Sequence, residues 1–220
     1  MNMRIIHSRK LSGNIWLSLF ALLITACTQV TPPERPAPDN SAAKLVTRPT
    51  LELLTLNIAH GRKDSFNQLL VPNDTIVENL DDIAELLKKV DADVVALQEA
   101  DGPSAWSGYF NHVSYLANMA EYPWDIYSAH VNGKRINYGT ALLSKVPFKD
   151  TLSHDFPKSP PTLRKGFTLG EIEWQPDDKK PAITVDVLSV HLDFSRKKVR
   201  EQQISDILRV LDSRSNPVII

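Results

Sequence analysis

Between residues 51 and 58 the apolar positions alternate, with Leu54, Leu56 and Ile58 on one face, and the stretch 57–61 ends the run. Period two predicts a first strand. From Thr75 the period lengthens: Ile76, Leu80, Ile83, Ala84 and Leu87 recur at steps of three and four behind the capping-box pair Thr75 and Glu78. That spacing predicts an amphipathic helix ending near Val90. Residues 91–93 supply a turn and residues 94–97 form a short, continuously apolar run that suits a buried strand, so the segment reads as a β-α-β unit.

After this unit the rhythm becomes antiparallel. Residues 111–121 suit a short helix, and the strand patterns 126–131 and 138–143 flank Asn132-Gly133, a hairpin signal. A second hairpin is expected from 167–174 and 182–192 around the polar stretch 175–180, with Ile183, Val185 and Val187 alternating with Thr184 and Asp186. Val199, Ile204, Ile207, Leu208 and Leu211 then keep helical spacing, and residues 217–220 begin another strand. Ending within an apolar run, the chain is expected to continue past Ile220.

The first residues follow a different logic. Arg4, Arg9 and Lys10 precede an apolar run over 15–24, too short to span a bilayer, which needs about 20 apolar residues. Residues 1–26 therefore read as an export signal. Ile24-Thr25-Ala26-Cys27 resembles a bacterial lipobox, in which the cysteine is acylated, and the proline-rich residues 27–50 have the composition of a tether. The expected location is the bacterial cell envelope, and Thr28 after the cysteine resembles the outer-membrane sorting variant. Cys27 is the only cysteine, which excludes a disulfide framework and a four-cysteine zinc site. The chain of 220 residues is 42% hydrophobic, enough for a packed core, and its net charge of -1 becomes -4 once residues 1–26, with three basic residues and no acidic one, are removed. Neither value suits a nonspecific nucleic-acid grip.

Several polar residues stand at the ends of the predicted strands: Asn57, Gln98 and Glu99, Tyr138, and His191. In mixed sheets such ends converge on one crevice. A carboxylate directly after residues 94–97 is costly to bury unless a cation or a base compensates it. Four segments carry a resemblance: Leu54-Thr-Leu-Asn57-Ile, Asp93-Val-Val-Ala-Leu-Gln98-Glu99, Asn137-Tyr-Gly-Thr-Ala-Leu-Leu-Ser-Lys145 and Ser189-Val-His191-Leu. In this order they resemble the motifs of the endonuclease/exonuclease/phosphatase superfamily, over residues 51–220.

The resemblance implies an α/β fold of the αββα type, a four-layer sandwich of two mixed sheets with outer helices. It also implies hydrolysis of a phosphoester with Mg2+ or Mn2+, on a nucleic acid, a phospholipid or a small phosphodiester. Glu99 matches the metal-ligand glutamate, Asn57 the asparagine beside metal and phosphate, and His191 the histidine near the scissile phosphate. Arg164 and Lys165 are candidates for phosphate contact, and His60 for the same cleft. The family's Gly-Asp-Phe-Asn and aspartate-histidine motifs are expected beyond Ile220, so the residues up to 220 are expected to be inactive alone. The expected protein is a monomer held to the membrane by its lipid. A noncatalytic lipoprotein that binds a ligand on the same scaffold is the alternative. Tyr138 is expected to be structural; Trp106, Tyr109 and Phe110 to cover an edge of the core; and the cations of 196–200 to form a solvated helix face.

Overall fold

The computed structural model describes residues 44–220. The expected export signal and Cys27 lie outside the described residues. Eight strands and three α-helices follow one another as β1 (Leu53–Asn57), α1 (Asn73–Val90), β2 (Val94–Asp101), α2 (His112–Met119), β3 (Trp124–Asn132), β4 (Asn137–Ser144), β5 (Asp150–Asp155), β6 (Gly166–Trp174), β7 (Ile183–His191), α3 (Lys197–Leu211) and β8 (Val218–Ile219). One sheet has the order β1-β2-β4-β3, the other β5-β6-β7-β8. Each is mixed, because β1 pairs parallel with β2, and β8 with β7, while the remaining pairs are antiparallel.

Three apolar clusters give the layers. Leu80, Leu87, Val95, Leu97, Leu116 and Leu143 join α1 and α2 to the outer face of the first sheet. Val94, Ala96 and Leu142 meet Ile172, Val185 and Val187 between the sheets. Phe167, Leu169 and Leu188 receive Ile207 of α3 on the far face of the second sheet. This is the expected αββα sandwich. Alternate residues of β2 serve the first two clusters, which explains why residues 94–97 are apolar without interruption.

The local boundaries differ from the sequence reading in three places. Helix α1 begins at Asn73, after an extended Pro72 that makes no side-chain cap, so Thr75 lies inside the first turn. Strand β5 has the sequence DTLSHD, whose outward positions are polar and exposed, and it pairs only with β6 at the sheet edge. Residues 44–50, read as the end of a tether, belong to the fold: Val46 is buried, donates its N–H to Glu173 O at 3.0 Å and bridges to Trp174. Arg48 pairs with buried Asp93 at 2.6 Å, closing this segment against the turn before β2. Among the described residues no helix is long and apolar enough to cross a membrane.

Candidate active site

At one end of the sandwich the interior turns from apolar to polar. Gln98 Nε2 donates to Ser189 Oγ across the sheets at 3.0 Å, and Thr140 and Thr168 hydroxyls meet at 2.8 Å. Just beyond these contacts lie Glu99 from the first sheet and Lys165 and His191 from the second.

Glu99 owes its direction to a bulge. Gln98 pairs with Thr140 and Ala100 with Gly139, so Glu99 is the extra residue of β2, in a left-handed conformation with φ 50°. A bulge re-aims a side chain that regular alternation would send elsewhere. A left-handed non-glycine residue costs roughly 1–2 kcal/mol, which the surrounding ladder must outweigh. Strand β3 bulges at the same level: Ala129 pairs with Gly139 and Val131 with Tyr138, leaving His130 as the extra residue. Gly139 sits between the two bulges, and a Cβ there would lie 1.7 Å from Ser128 O. Only glycine permits this approach.

The other groups gather around the Glu99 carboxylate. His60, on a tight turn after β1 with φ 59°, places Nε2 3.4 Å from Glu99 Oε2 and Nδ1 2.8 Å from buried Asp101 Oδ1. Trp106 and Tyr138 meet the His60 ring edge-on, at 5.5 and 5.3 Å between centroids. His191 Nε2 lies 3.6 Å from Glu99 Oε1 and 3.2 Å from Lys165 Nζ. Lys165 Nζ also stands 5.3 Å from the centre of the Tyr138 ring, a cation-π distance. Asn57 accepts the N–H of Ala59 through Oδ1 at 2.9 Å and hydrogen-bonds Glu99.

Electrostatics assign these groups different charges. Burial opposes ionisation of Glu99, but the Asn57 hydrogen bond and the potentials of His60, His191 and Lys165 outweigh it, so its pKa falls below the usual value. Burial, reinforced by the Lys165 charge, lowers His191 to about 4, against the partial opposition of Glu99. The imidazole is therefore neutral at neutral pH. An ammonium only donates, so Nε2 of His191 accepts from Lys165 and the ring proton sits on Nδ1, which has no partner among the described residues. Burial lowers Lys165 also, with Glu99 and Asp193 opposing, and burial pushes the Tyr138 phenol upward.

Of the residues singled out by sequence, the structure brings Asn57, His60, Glu99, Lys165 and His191 together. Arg164 does not join them: its NH1 donates to Asp155 at 3.0 Å, and Asp155 also holds His130 Nδ1 at 2.8 Å. Tyr138, expected to be structural, is buried, and its ring also walls the site. The aromatic loop divides, with Phe110 in the core, Tyr109 exposed and Trp106 against His60. The expected solvated face at 196–200 divides too. Lys197 and Lys198 are exposed, whereas Arg196 binds Asp193 Oδ2 at 2.6 Å and Pro160 O at 2.7 Å, and Arg200 donates to Asp193 O at 3.1 Å. Asp101 was missed because its role depends on the bulge that precedes it.

Among the described residues no group of three or more His, Cys, Asp or Glu side chains could by itself hold a metal ion. Glu99, with its side chain 22% exposed and ionised, still offers hard oxygen donors beside the Asn57 amide. Such a set suits magnesium, which binds through one or two carboxylates and keeps water or substrate oxygens in its other positions.

The sequence model of the Endonuclease/Exonuclease/phosphatase family matches residues 54–220. The chain belongs to this family. Among solved structures it is similar to a family protein from Leptotrichia buccalis C-1013-b (17% identity, TM-score 0.53, covering 76% of this chain and 63% of that one). A family protein from Beutenbergia cavernae DSM 12333 gives 19% identity and TM-score 0.52, covering 75% of this chain and 44% of that one. ANGEL2, described as a 2',3'-cyclic phosphatase, gives 18% identity and TM-score 0.51, with 76% of this chain and 49% of that one covered. At these identities the likeness is one of fold. The chain spans between 44% and 63% of the length of these structures. No curated protein matches it.

Proposed function

We propose that the protein is a metal-dependent phosphoesterase of the cell envelope, anchored through an acylated Cys27. The observation that carries the hydrolytic reading is the opposition of one ionised carboxylate, Glu99, to Lys165 and a neutral His191 across the junction of the two sheets. Bound at Glu99, magnesium or manganese would polarise a phosphoryl oxygen and the attacking water. The chain's own residues supply the remainder. Lys165 donates to a phosphate oxygen, and the His191 Nδ1–H is a further donor with no partner among the described residues. Asn57 and His60 hold the Glu99 carboxylate in place. Trp106 and Tyr138 exclude water from one side of His60.

Membership of a family of metal-dependent phosphoesterases supports the reaction class, and the cyclic phosphate acted on by ANGEL2 lies within it. The anchor reading rests on the lipobox-like residues 24–27 and the prolines that follow. The test is hydrolysis of bis(p-nitrophenyl) phosphate by the full-length protein, with and without Mg2+ or Mn2+. Glu99→Gln keeps the shape and removes the charge, so turnover at a fixed metal concentration should fall at least tenfold with an unchanged thermal melt. Equal turnover by the two proteins would remove Glu99 from the site.

A further inference from the structure

The segments that connect strands and helices differ in character between the two ends of the sandwich. At the Glu99 end they are residues 58–72, 102–111, 133–136, 156–165 and 192–196, which together carry eight lysines and arginines against two acids. At the far end, residues 44–52, 91–93, 120–123, 145–149, 175–182 and 212–217 carry seven of each. Apolar exposure divides in the same way. Phe66, Leu70, Tyr109, Leu163 and Phe194 are exposed in the first set, Phe66 fully and Phe194 to 80%. The far-end segments expose no large apolar side chain, although Leu53, Val90 and Ile183 on the adjoining element ends are 37–41% exposed. Single exposed apolar residues are ordinary, whereas five around one site require an account.

Hydrogen bonds join the Glu99-end segments into two banks with the carboxylate between them. On the first-sheet side Gln68 Nε2 donates to His60 O at 3.2 Å and Trp106 O at 3.1 Å, while the N–H groups of Ala105 and Trp106 reach Lys134 O and Arg135 O, each at 3.0 Å. On the second-sheet side Thr162 Oγ1 donates to Asp193 Oδ2 at 2.9 Å, and Arg196 to Pro160 O at 2.7 Å. Phe66, Leu70 and Tyr109 therefore belong to one bank, and Leu163 and Phe194 to the other. Lys134, Arg135 and Lys158 are exposed and make no ion pair among the described residues. Apolar tips set among free cations complement a surface with anionic groups above hydrocarbon, where the cations meet the headgroups and the tips enter the acyl boundary. Single-stranded nucleic acid would answer the cations and stack on the aromatic rings, but it leaves aliphatic Leu70 and Leu163 unanswered.

We propose that this rim docks on an anionic lipid surface and sets the Glu99 centre at the level of the headgroups. The length of chain before the described residues allows that orientation. Val46 bridges to Trp174, at the end of β6 remote from Gly166 and the site. The nine residues of β6 span about 30 Å. Sixteen residues separate Cys27 from Lys44, and at about 3.1 Å per residue for a proline-rich chain they reach roughly 50 Å. A lipid on Cys27 thus leaves the site end free to face the same membrane. The docking needs neither hydrolysis at Glu99 nor the acyl group, and it is tested without either.

The experiment is vesicle sedimentation with the full-length mature protein carrying Cys27→Ser and a chelator present. Vesicles of phosphatidylcholine alone are compared with vesicles containing about a quarter phosphatidylglycerol. Saturable binding to the anionic vesicles is expected, about tenfold or more tighter than to the neutral ones. Phe66→Ser combined with Phe194→Ser, and separately Lys134→Glu combined with Arg135→Glu, should each weaken it about tenfold or more. All four positions are exposed, so folding is not at risk. Lys179→Glu combined with Lys180→Glu, at the far end, should leave binding unchanged. The proposal is overturned if the anionic vesicles are not bound, if neutral vesicles bind equally, if either rim pair leaves binding unchanged, or if the far-end pair weakens it as much. A labelled single-stranded oligonucleotide is titrated in parallel, and its binding without that of the vesicles would overturn the proposal by giving the rim to nucleic acid.

Discussion

Replacing Lys165 by methionine removes a charge while keeping an unbranched apolar stem. The side chain is 8% exposed, and its ammonium lies 3.2 Å from His191 Nε2 and 3.5 Å from the Tyr138 hydroxyl. Its Nζ stands 5.3 Å from the centre of the Tyr138 ring, an apolar surface that a methionine methyl can also meet, so the fold should tolerate the change. A hydrogen bond to a charged group contributes about 1.5–3 kcal/mol. At about 1.4 kcal/mol per tenfold, loss of one such bond to a phosphate oxygen lowers kcat/KM by roughly 10- to 150-fold. A second effect separates catalysis from folding. Lys165 helps to hold His191 at about 4, so without it the His191 pKa rises towards the ordinary histidine value of about 6.5. The assay is kcat/KM against pH for both proteins on bis(p-nitrophenyl) phosphate, with urea denaturation as control. Methionine should lower the plateau and move the acid limb to higher pH. A variant of equal stability with an unshifted profile and an unchanged plateau would refute the placement of Lys165 beside both phosphate and His191.

His112, His130 and His191 are each buried and held below the usual histidine pKa, burial being the largest cause in every case. Their folded pKa values lie below the unfolded one, so the unfolded chain binds more protons and stability falls as pH drops below about 6.5, for His191 down to about 4, by up to about 1.4 kcal/mol per pH unit per histidine; urea midpoints flat below about pH 6.5 would contradict it. Gly139→Ala puts a methyl 1.7 Å from Ser128 O, and because backbone rather than a flexible side chain must yield, the loss should reach or exceed the roughly 1–3 kcal/mol usual for overpacking. A variant melting as the parent does would show that β3 and β4 can part there without cost. Cys27→Ser should release the protein from the membrane fraction, and mass spectrometry of the parent N-terminus should find an acylated Cys27; an unmodified cysteine would end the anchor reading.

Sequence periodicity reveals an element when one face is buried and the other is wet. Helix α1 and, in graded form, strand β1 meet that condition; β7 is buried on both faces over 185–189 and still alternates because Asp186 pairs with Arg214. The capping asparagine of α2, Asn111, takes the N–H groups of Val113 and Ser114. Strand β5 does not meet the condition: it is an edge strand, and its polar residues satisfy no period strongly. The site divides along the same line. Asn57 and His191 stand at strand ends, where position along the chain already predicts convergence. The direction of Glu99 is set by a bulge, and a bulge is a relation between β2 and β4 that no local pattern carries. Arg164 and Lys165 are neighbours with similar charge, but alternation sends them to different partners, Asp155 and His191. Asp193, flanked by an apolar residue and Phe194, gives no local sign that it gathers Thr162, Ser195 and Arg196.

The candidate site is made of two halves on separate sheets, and that places a demand on the layer between them. Apolar contact is non-directional, so a wholly hydrophobic interface would hold the sheets together without fixing how one lies over the other. Here Val94, Ala96 and Leu142 meet Ile172, Val185 and Val187 away from the site, and hydrogen-bonded pairs replace them as the site is approached. Gln98 reaches Ser189, Ser189 donates to Leu97 O at 2.6 Å, Thr140 meets Thr168, and Thr168 donates to Thr140 O at 3.0 Å. His130, brought in by the second bulge, extends this chain from Thr140 to Asp155. Directional bonds of this kind fix the relative position of the two sheets, since a shift of about 1 Å would break them. They lie immediately below Glu99 on one sheet and Lys165 and His191 on the other. The polar seam thus sets the separation of carboxylate from ammonium and imidazole, and the apolar cluster behind it supplies the cohesion that keeps the seam closed.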